Sequence, residues 1–250
     1  MADSPDSRDV AAAWRPQFPG RVGPRDIRDA IVEPDWAGLR VVAALGRHGA
    51  EVYRYGDRID VPRELERALA GAFQAVDAVI EGHLTTAAFE DGVGAYPAAE
   101  PVGRPIFSLP RFFRGSAKED PYVFGRIHQA KSESDAPGIL DALAAGERHA
   151  FVAVDLLWLD GQALDDVPLL ERKRLLDTVL APSLLVRVTP FVRPVSAQRT
   201  LITWGTLGFG ALSWRAANGR YLAGRENPDW AIAPTPRTGT SLPKATEPSR

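Results

Sequence analysis

Cysteine is absent from this chain of 250 residues. Its absence removes disulfide frameworks and thiolate zinc sites together and suits a reducing compartment. Lysine is almost as scarce, for only Lys118, Lys131, Lys173 and Lys244 share the basic complement with the arginines. Amine chemistry therefore has four places to occur. No excess of one charge is present either: 30 basic residues face 32 acidic ones, a formal net charge of −2. The chain as a whole offers no electrostatic footprint for nucleic acid, so any such binding is local. No stretch approaches the roughly 20 apolar residues of a membrane span, and MADSPDSRDVAAAW has neither the basic start nor the apolar run of a leader. A cytoplasmic protein without a membrane partner is expected.

What the chain does have is a 45% hydrophobic content, sufficient for one large domain. Residues 1–20 and 233–250 are polar or rich in Pro, Thr and Ser, and are expected to be disordered tails around one domain at 21–232. GLRVVAALG (38–46) and EVYRY (51–55), separated by RHGA, predict an antiparallel hairpin. Leu65, Leu69, Ala72 and Phe73 recur at helical spacing after Asp60, an expected N-cap, and Pro62. AVDAVIEGHL (75–84) predicts a buried strand and 87–103 a loop. Residues 114–137 predict an irregular insertion or a short helix. FVAVDLLWLDG (151–161) predicts a strand, with Asp155 and Asp160 binding backbone groups at a turn. Asp166 and Pro168 open a helix through Leu169, Leu175, Leu176 and Val179, which leaves Lys173 facing solvent. A strand at 184–192, a helix at 196–208 and a strand at 211–215 complete an α+β pattern.

Several of these segments, in order, resemble the adenylation domain of ATP-dependent DNA ligases over about residues 22–232. That family's first motif runs E-P-K-W-D-G-x-R, and EPDWAGLR supplies Glu33, Pro34, Trp36, Gly38 and Arg40. Asp35 replaces the lysine that captures AMP, and Ala37 replaces the aspartate. S-R-N-G falls on Tyr53, Arg54, Tyr55 and Gly56. D-G-E falls on Glu81, Gly82 and His83, so its glutamate is lost. The family's F-x-x-F-D-L-L-x-L-D-G matches 151–161, with Val154 where an aromatic would stack on adenine. E-G-x-V-x-K falls on residues 209–214, which puts Phe209 and Trp214 at the charged positions. Tyr221, Gly224, Arg225 and Trp230 match the last motif, in which Ile232 replaces a lysine.

The resemblance implies an α+β nucleotidyltransferase fold of the DNA ligase and mRNA-capping type (ATP-grasp-like), built of antiparallel sheets with flanking helices. The family's C-terminal OB-fold is not matched after Trp230, so weak DNA engagement by this chain alone is expected. Adenylate capture needs an in-line nucleophile and cations around the phosphates. Exchanging a cation for an anion about 4 Å from a phosphate weakens binding by roughly 2–8 kcal/mol, on the order of one to six decades. An acyl-adenylate on Asp35 would be an unprotected mixed anhydride. A catalytically degenerate protein follows as the expectation, a binding or scaffolding module beside DNA or DNA-repair proteins. The alternatives are an active ligase of DNA repair and recombination with an atypical site, or a sensor of ATP or AMP. ATP and Mg²⁺ are the implied cofactors if the site still binds nucleotide; no resident metal is expected.

The nucleotide-binding candidates are Glu33, Arg40, Arg54 and Glu81. Each also has a structural alternative: solvated side chains for the arginines, and a structural hydrogen bond in place of a cation for Glu81. His83, with no second ligand at metal spacing, is expected to be a satisfied histidine. Phe209 and Trp214 are expected to fill the pocket and make it apolar. Trp14, Trp158, Trp204 and Trp230 are expected in core or interface positions.

Overall fold

A computed structural model describes residues 5–86, 121–194 and 198–235. The expected loop at 87–103 lies outside the described residues, as does most of the expected C-terminal tail. The largest sheet has the strand order β5-β4-β3-β6-β7-β8, with β9 also on β7. Its members are β3 (Leu39–Gly46), β4 (Gly49–Arg54), β5 (Asp57–Ile59), β6 (Asp77–Thr85), β7 (Ala150–Leu159), β8 (Gln162–Ala163) and β9 (Val186–Val188). All pairs are antiparallel except β7 with β9. The 38–55 hairpin is therefore β3–β4, while only three residues of the strand expected at 184–192 join the sheet.

β3 is buried on both faces because both faces are covered, which explains its continuous apolar run. Val41, Ala43 and Leu45 enter the main core with Leu65 and Leu69 of α2 (Arg63–Ala72) and Leu176 of α4 (Leu169–Val179). Val42 and Ala44 meet Ala11 and Trp14 on the other face. Ala11 belongs to α1 (Ser7–Ala13), which Asp6 starts with a capping box to Asp9. Trp14 donates through Nε1 to Tyr221 Oη at 2.9 Å, and β1 (Phe18–Pro19) pairs with β11 (Glu226–Asn227). Residues 7–20 are thus built into the domain rather than forming part of a tail. Neither α2 nor α4 has a side-chain cap: Pro62 and Pro168 hold the N-cap positions, and Asp166 pairs with Arg220 instead.

A second sheet has the order β12-β10-β2, from β2 (Ala30–Pro34), β10 (Ala211–Ala216) and β12 (Trp230–Pro234). Its outer face packs on Leu201 and Trp204 of α5 (Gln198–Thr206). Of the segment at 114–137, expected to be an irregular insertion or short helix, residues 114–120 lie outside the described residues and the rest belongs to a long helix, α3 (Pro121–Ala144), with Pro137 in its interior. No OB-fold barrel occurs among the described residues.

Candidate functional site

A cleft of about 380 Å³ opens where β2, β10 and β12 approach β3, β6 and β7, with α3 along its mouth. The octet 33–40 forms one wall. Asp35 donates its backbone N–H to Ala211 O at 3.1 Å, while its half-buried carboxylate lines the cleft beside exposed Ala37. Trp36 is buried, donates to Thr189 Oγ1 at 2.8 Å and meets Phe209 edge-on at 5.0 Å. Gly38 sits at φ +133°, where an added Cβ would lie 2.2 Å from Leu84 O. Gly82 is as crowded, with Phe151 2.5 Å from where a Cβ would be. Both glycines are required by close packing of backbone on its neighbours, whatever the chemistry of the cleft.

Behind the wall lies a buried charge network. The β6–β7 ladder shifts register around Val154, which has no partner across from it. Such a bulge frees a carbonyl from the ladder. Val154 O accepts from Lys173 Nζ, which also pairs with Glu33. Lys173, expected to face solvent, is 1% exposed. A charged residue on a helix is buried when another element supplies its counter-charge, and Glu33 does so from 140 residues away. Burial lowers the Lys173 pKa; Glu33 opposes that shift and Arg215 adds to it. Asp155 binds Arg172 through both oxygens, at 2.8 and 2.9 Å, and lies 3.3 Å from Arg215 Nη1. Asp155 also accepts from Leu156 N, but its main partners are these buried arginines rather than backbone groups at a turn. Burial raises its pKa, but Arg172 and then Arg215 and Lys173 outweigh that and hold it below the usual carboxylate range. Asp160 does bind backbone, accepting from Val76 N and Asp77 N at 3.0 Å.

The four nucleotide-binding candidates are all engaged within the protein. Glu33 holds Lys173, and Arg40 pairs with fully buried Glu81 and donates to Gln17 O at 2.7 Å. The Arg40 guanidinium also faces Trp230 at 5.3 Å and Trp14 at 6.0 Å. Arg54 pairs with Glu133 of α3 at 2.5 Å and lies over the Tyr55 ring. Tyr55 Oη donates to the other Glu133 oxygen at 2.5 Å. Burial first, and then that hydrogen bond, push the Tyr55 phenol up to about 12, so it stays a donor. His83 is half-buried at the cleft, opposite Arg40 and Val152 in the ladders. Among the described residues no three His, Cys, Asp or Glu side chains gather to hold a metal.

β10 corrects the expectation that Phe209 and Trp214 fill the pocket. Because strand residues alternate in face, Ser213 and Arg215 line the cleft, whereas Leu212, Trp214 and Phe209 pack into the core beneath α5. Ile232, opposite Ser213, does line the cleft, as does Val154. The motif comparison, which puts the charged position at Trp214, passes over Arg215, and neighbouring positions of a strand face opposite sides. The signal was present in ALSWRA, where Arg215 shares a face with the small, polar Ser213. Trp230 donates to Ser213 Oγ at 2.8 Å and presents its ring to Arg215 at 5.0 Å.

No protein-family model and no curated protein matches the sequence. Solved structures do. Mycobacterial DNA ligase D complexed with ATP and MES is 16% identical, covering 89% of this chain and 60% of that one, with a TM-score of 0.56. The ligase domain of LigD from M. tuberculosis is 17% identical over 88% and 58%, with a TM-score of 0.54. A structure of Lig E DNA ligase is 14% identical over 88% and 68%, with a TM-score of 0.50. The α+β fold is that of the adenylation domain of ATP-dependent DNA ligases. At these identities the likeness extends to the fold, and the chain spans about three fifths of the length of the two ligase D chains.

Proposed function

We propose that this ligase-fold chain is a binding or scaffolding module of DNA repair that does not capture AMP. The observation that carries the proposal is Asp35, a carboxylate on the cleft wall at the position where the resembled motif has its lysine. Capture of AMP joins an amine nitrogen to the α-phosphorus and releases pyrophosphate, so it needs an uncommitted amine in line with the leaving group. Lys173 Nζ is committed to Glu33 and Val154 O behind the wall. Arg40 and Arg54, which the motif would direct at nucleotide, are engaged by Glu81 and Glu133. The ligase neighbours support DNA, or proteins that handle it, as the partner.

Incubation of the purified chain with ATP, Mg²⁺ and nicked duplex tests this reading. The expected result is an unsealed nick. ATP-dependent sealing would establish the active-ligase alternative instead. One observation favours a second reading, a sensor of ATP or AMP: Arg215 places a cation in the cleft on the face of Trp230. Calorimetry with ATP and Mg²⁺ separates the two, because micromolar affinity supports the sensor and millimolar or absent binding supports the scaffold.

A further inference from the structure

Around the buried floor of the cleft four cations, Arg40, Arg172, Lys173 and Arg215, meet three carboxylates, Glu33, Glu81 and Asp155. Each carboxylate has one of the first three as its close partner, so Arg215 is the surplus cation. Its side chain is only 8% exposed, yet it stands 3.6 Å from Glu33, which Lys173 holds, and 3.3 Å from Asp155, which Arg172 holds. Nη1 faces Asp155, and Nε has no hydrogen bond among the described residues. That leaves Nη2 to serve the cleft that Arg215 lines. A buried guanidinium without full pairing is costly until an acceptor reaches it. The surplus is felt next door: burial lowers the Lys173 pKa, and Arg215 adds to that against the pull of Glu33.

The space beside Arg215 is apolar. The Trp230 ring faces the guanidinium at 5.0 Å, and Phe18, Val154 and Ile232 line the same cleft. Other carboxylates that line it are accounted for: Arg54 and Tyr55 hold Glu133, Asp35 has a partner within the chain, and Asp135 is exposed to water. One surplus charge suits a monoanion, and apolar walls suit a hydrocarbon body. We propose that the cleft takes a small amphipathic carboxylate, its head on Arg215 beside the Trp230 ring and its hydrocarbon body along Phe18, Val154 and Ile232. The volume, about 380 Å³, corresponds to the share of roughly a dozen waters, which suits a medium-chain or aromatic acid of about ten non-hydrogen atoms. The inference rests on the binding-module reading and names the ligand class of that module.

Calorimetry on the full chain with butyrate, hexanoate, octanoate and phenylpropionate tests it. Octanol and octylamine supply the body without the anion, and inorganic phosphate and AMP supply an anion without the hydrocarbon. Octanoate or phenylpropionate should bind about tenfold or more tighter than octanol or octylamine, the difference that a charged hydrogen bond makes. Affinity should rise about two- to fourfold with each methylene from butyrate to octanoate. Arg215→Met should abolish the preference for the acid and leave octanol binding unchanged; if that variant does not fold, the probe series on the unaltered chain decides. Octanol or octylamine binding as tightly as octanoate, an affinity indifferent to chain length, phosphate or AMP binding more tightly than every acid, or no heat with any acid would overturn the carboxylate site. None of these results bears on AMP capture. Covalent AMP on the protein would overturn the binding-module reading whatever the acids do.

Discussion

The floor and the mouth of the cleft treat charge in opposite ways. On the floor every carboxylate has a close cation, Glu33 with Lys173, Asp155 with Arg172 and Glu81 with Arg40. At the mouth the described pair, Arg54 with Glu133, stands in contact with water, which screens it. Charge removed from water is retained only where a partner and hydrogen bonds offset the desolvation. The floor therefore binds the two sheets and α4 together, whereas the mouth is free to vary with little effect on folding. The resemblance to a ligase divides in a related way: Gly38, Gly82 and Trp36 are held by close packing, while Asp35 and His83, half-buried, and exposed Ala37 line the cleft.

The sharpest way to break this contrast is Lys173→Met, which leaves Glu33 buried beside a bulged carbonyl with no donor. A loss of about 3–5 kcal/mol is expected, a fall in Tm of roughly 6–20 °C for a chain of this size. Glu33→Leu in the same chain should restore much of that, because an apolar pair of similar volume replaces a buried ion pair at small cost. A strongly positive coupling in the double-mutant cycle by urea unfolding checks it. Gly38→Ala comes next, at about 2 kcal/mol or more, since its φ is one that L residues rarely adopt and the new methyl meets Leu84 O.

Acid weakens the floor through Asp155. Asp155 has a folded pKa below its ordinary value of 3.8. Its contribution is therefore fully present above that value and is lost as pH falls through the folded pKa, because the unfolded chain takes up the proton first. Stability measured against pH should fall in this acid range, and Asp155→Asn should be less stable at neutral pH with a flatter acid limb. The smallest effect belongs to the mouth. Asp35→Lys should change stability by no more than about 0.5 kcal/mol, as urea unfolding will report.

Much of the framework was legible in the sequence, because β3, β7 and α4 show their periodicity locally. Residues 151–159 are apolar apart from Asp155, and Leu169 and Leu176 share one helical face. What was not legible depended on distant partners. Lys173 looks solvated until Glu33 and the Val154 bulge are placed opposite it, and a bulge leaves no mark on hydrophobic spacing. α3 spreads its apolar residues around the helix instead of along one stripe, and Gly125, Pro137 and Gly138 interrupt it, so its sequence does not announce a long helix. The N-terminal segment looked like a tail because Trp14 finds its partner, Tyr221, only after 207 residues. Of the candidate site, the octet was readable as a motif, and Asp35 was visible at once. Arg215 was not, because the register of a strand is fixed by its neighbours and not by its own letters.

Intact-mass measurement of the purified chain after incubation with ATP and Mg²⁺ tests the central claim most directly. The account predicts one species at the mass of the unmodified chain, with no pyrophosphate released. A second species heavier by one AMP, reversed on adding pyrophosphate, would contradict it.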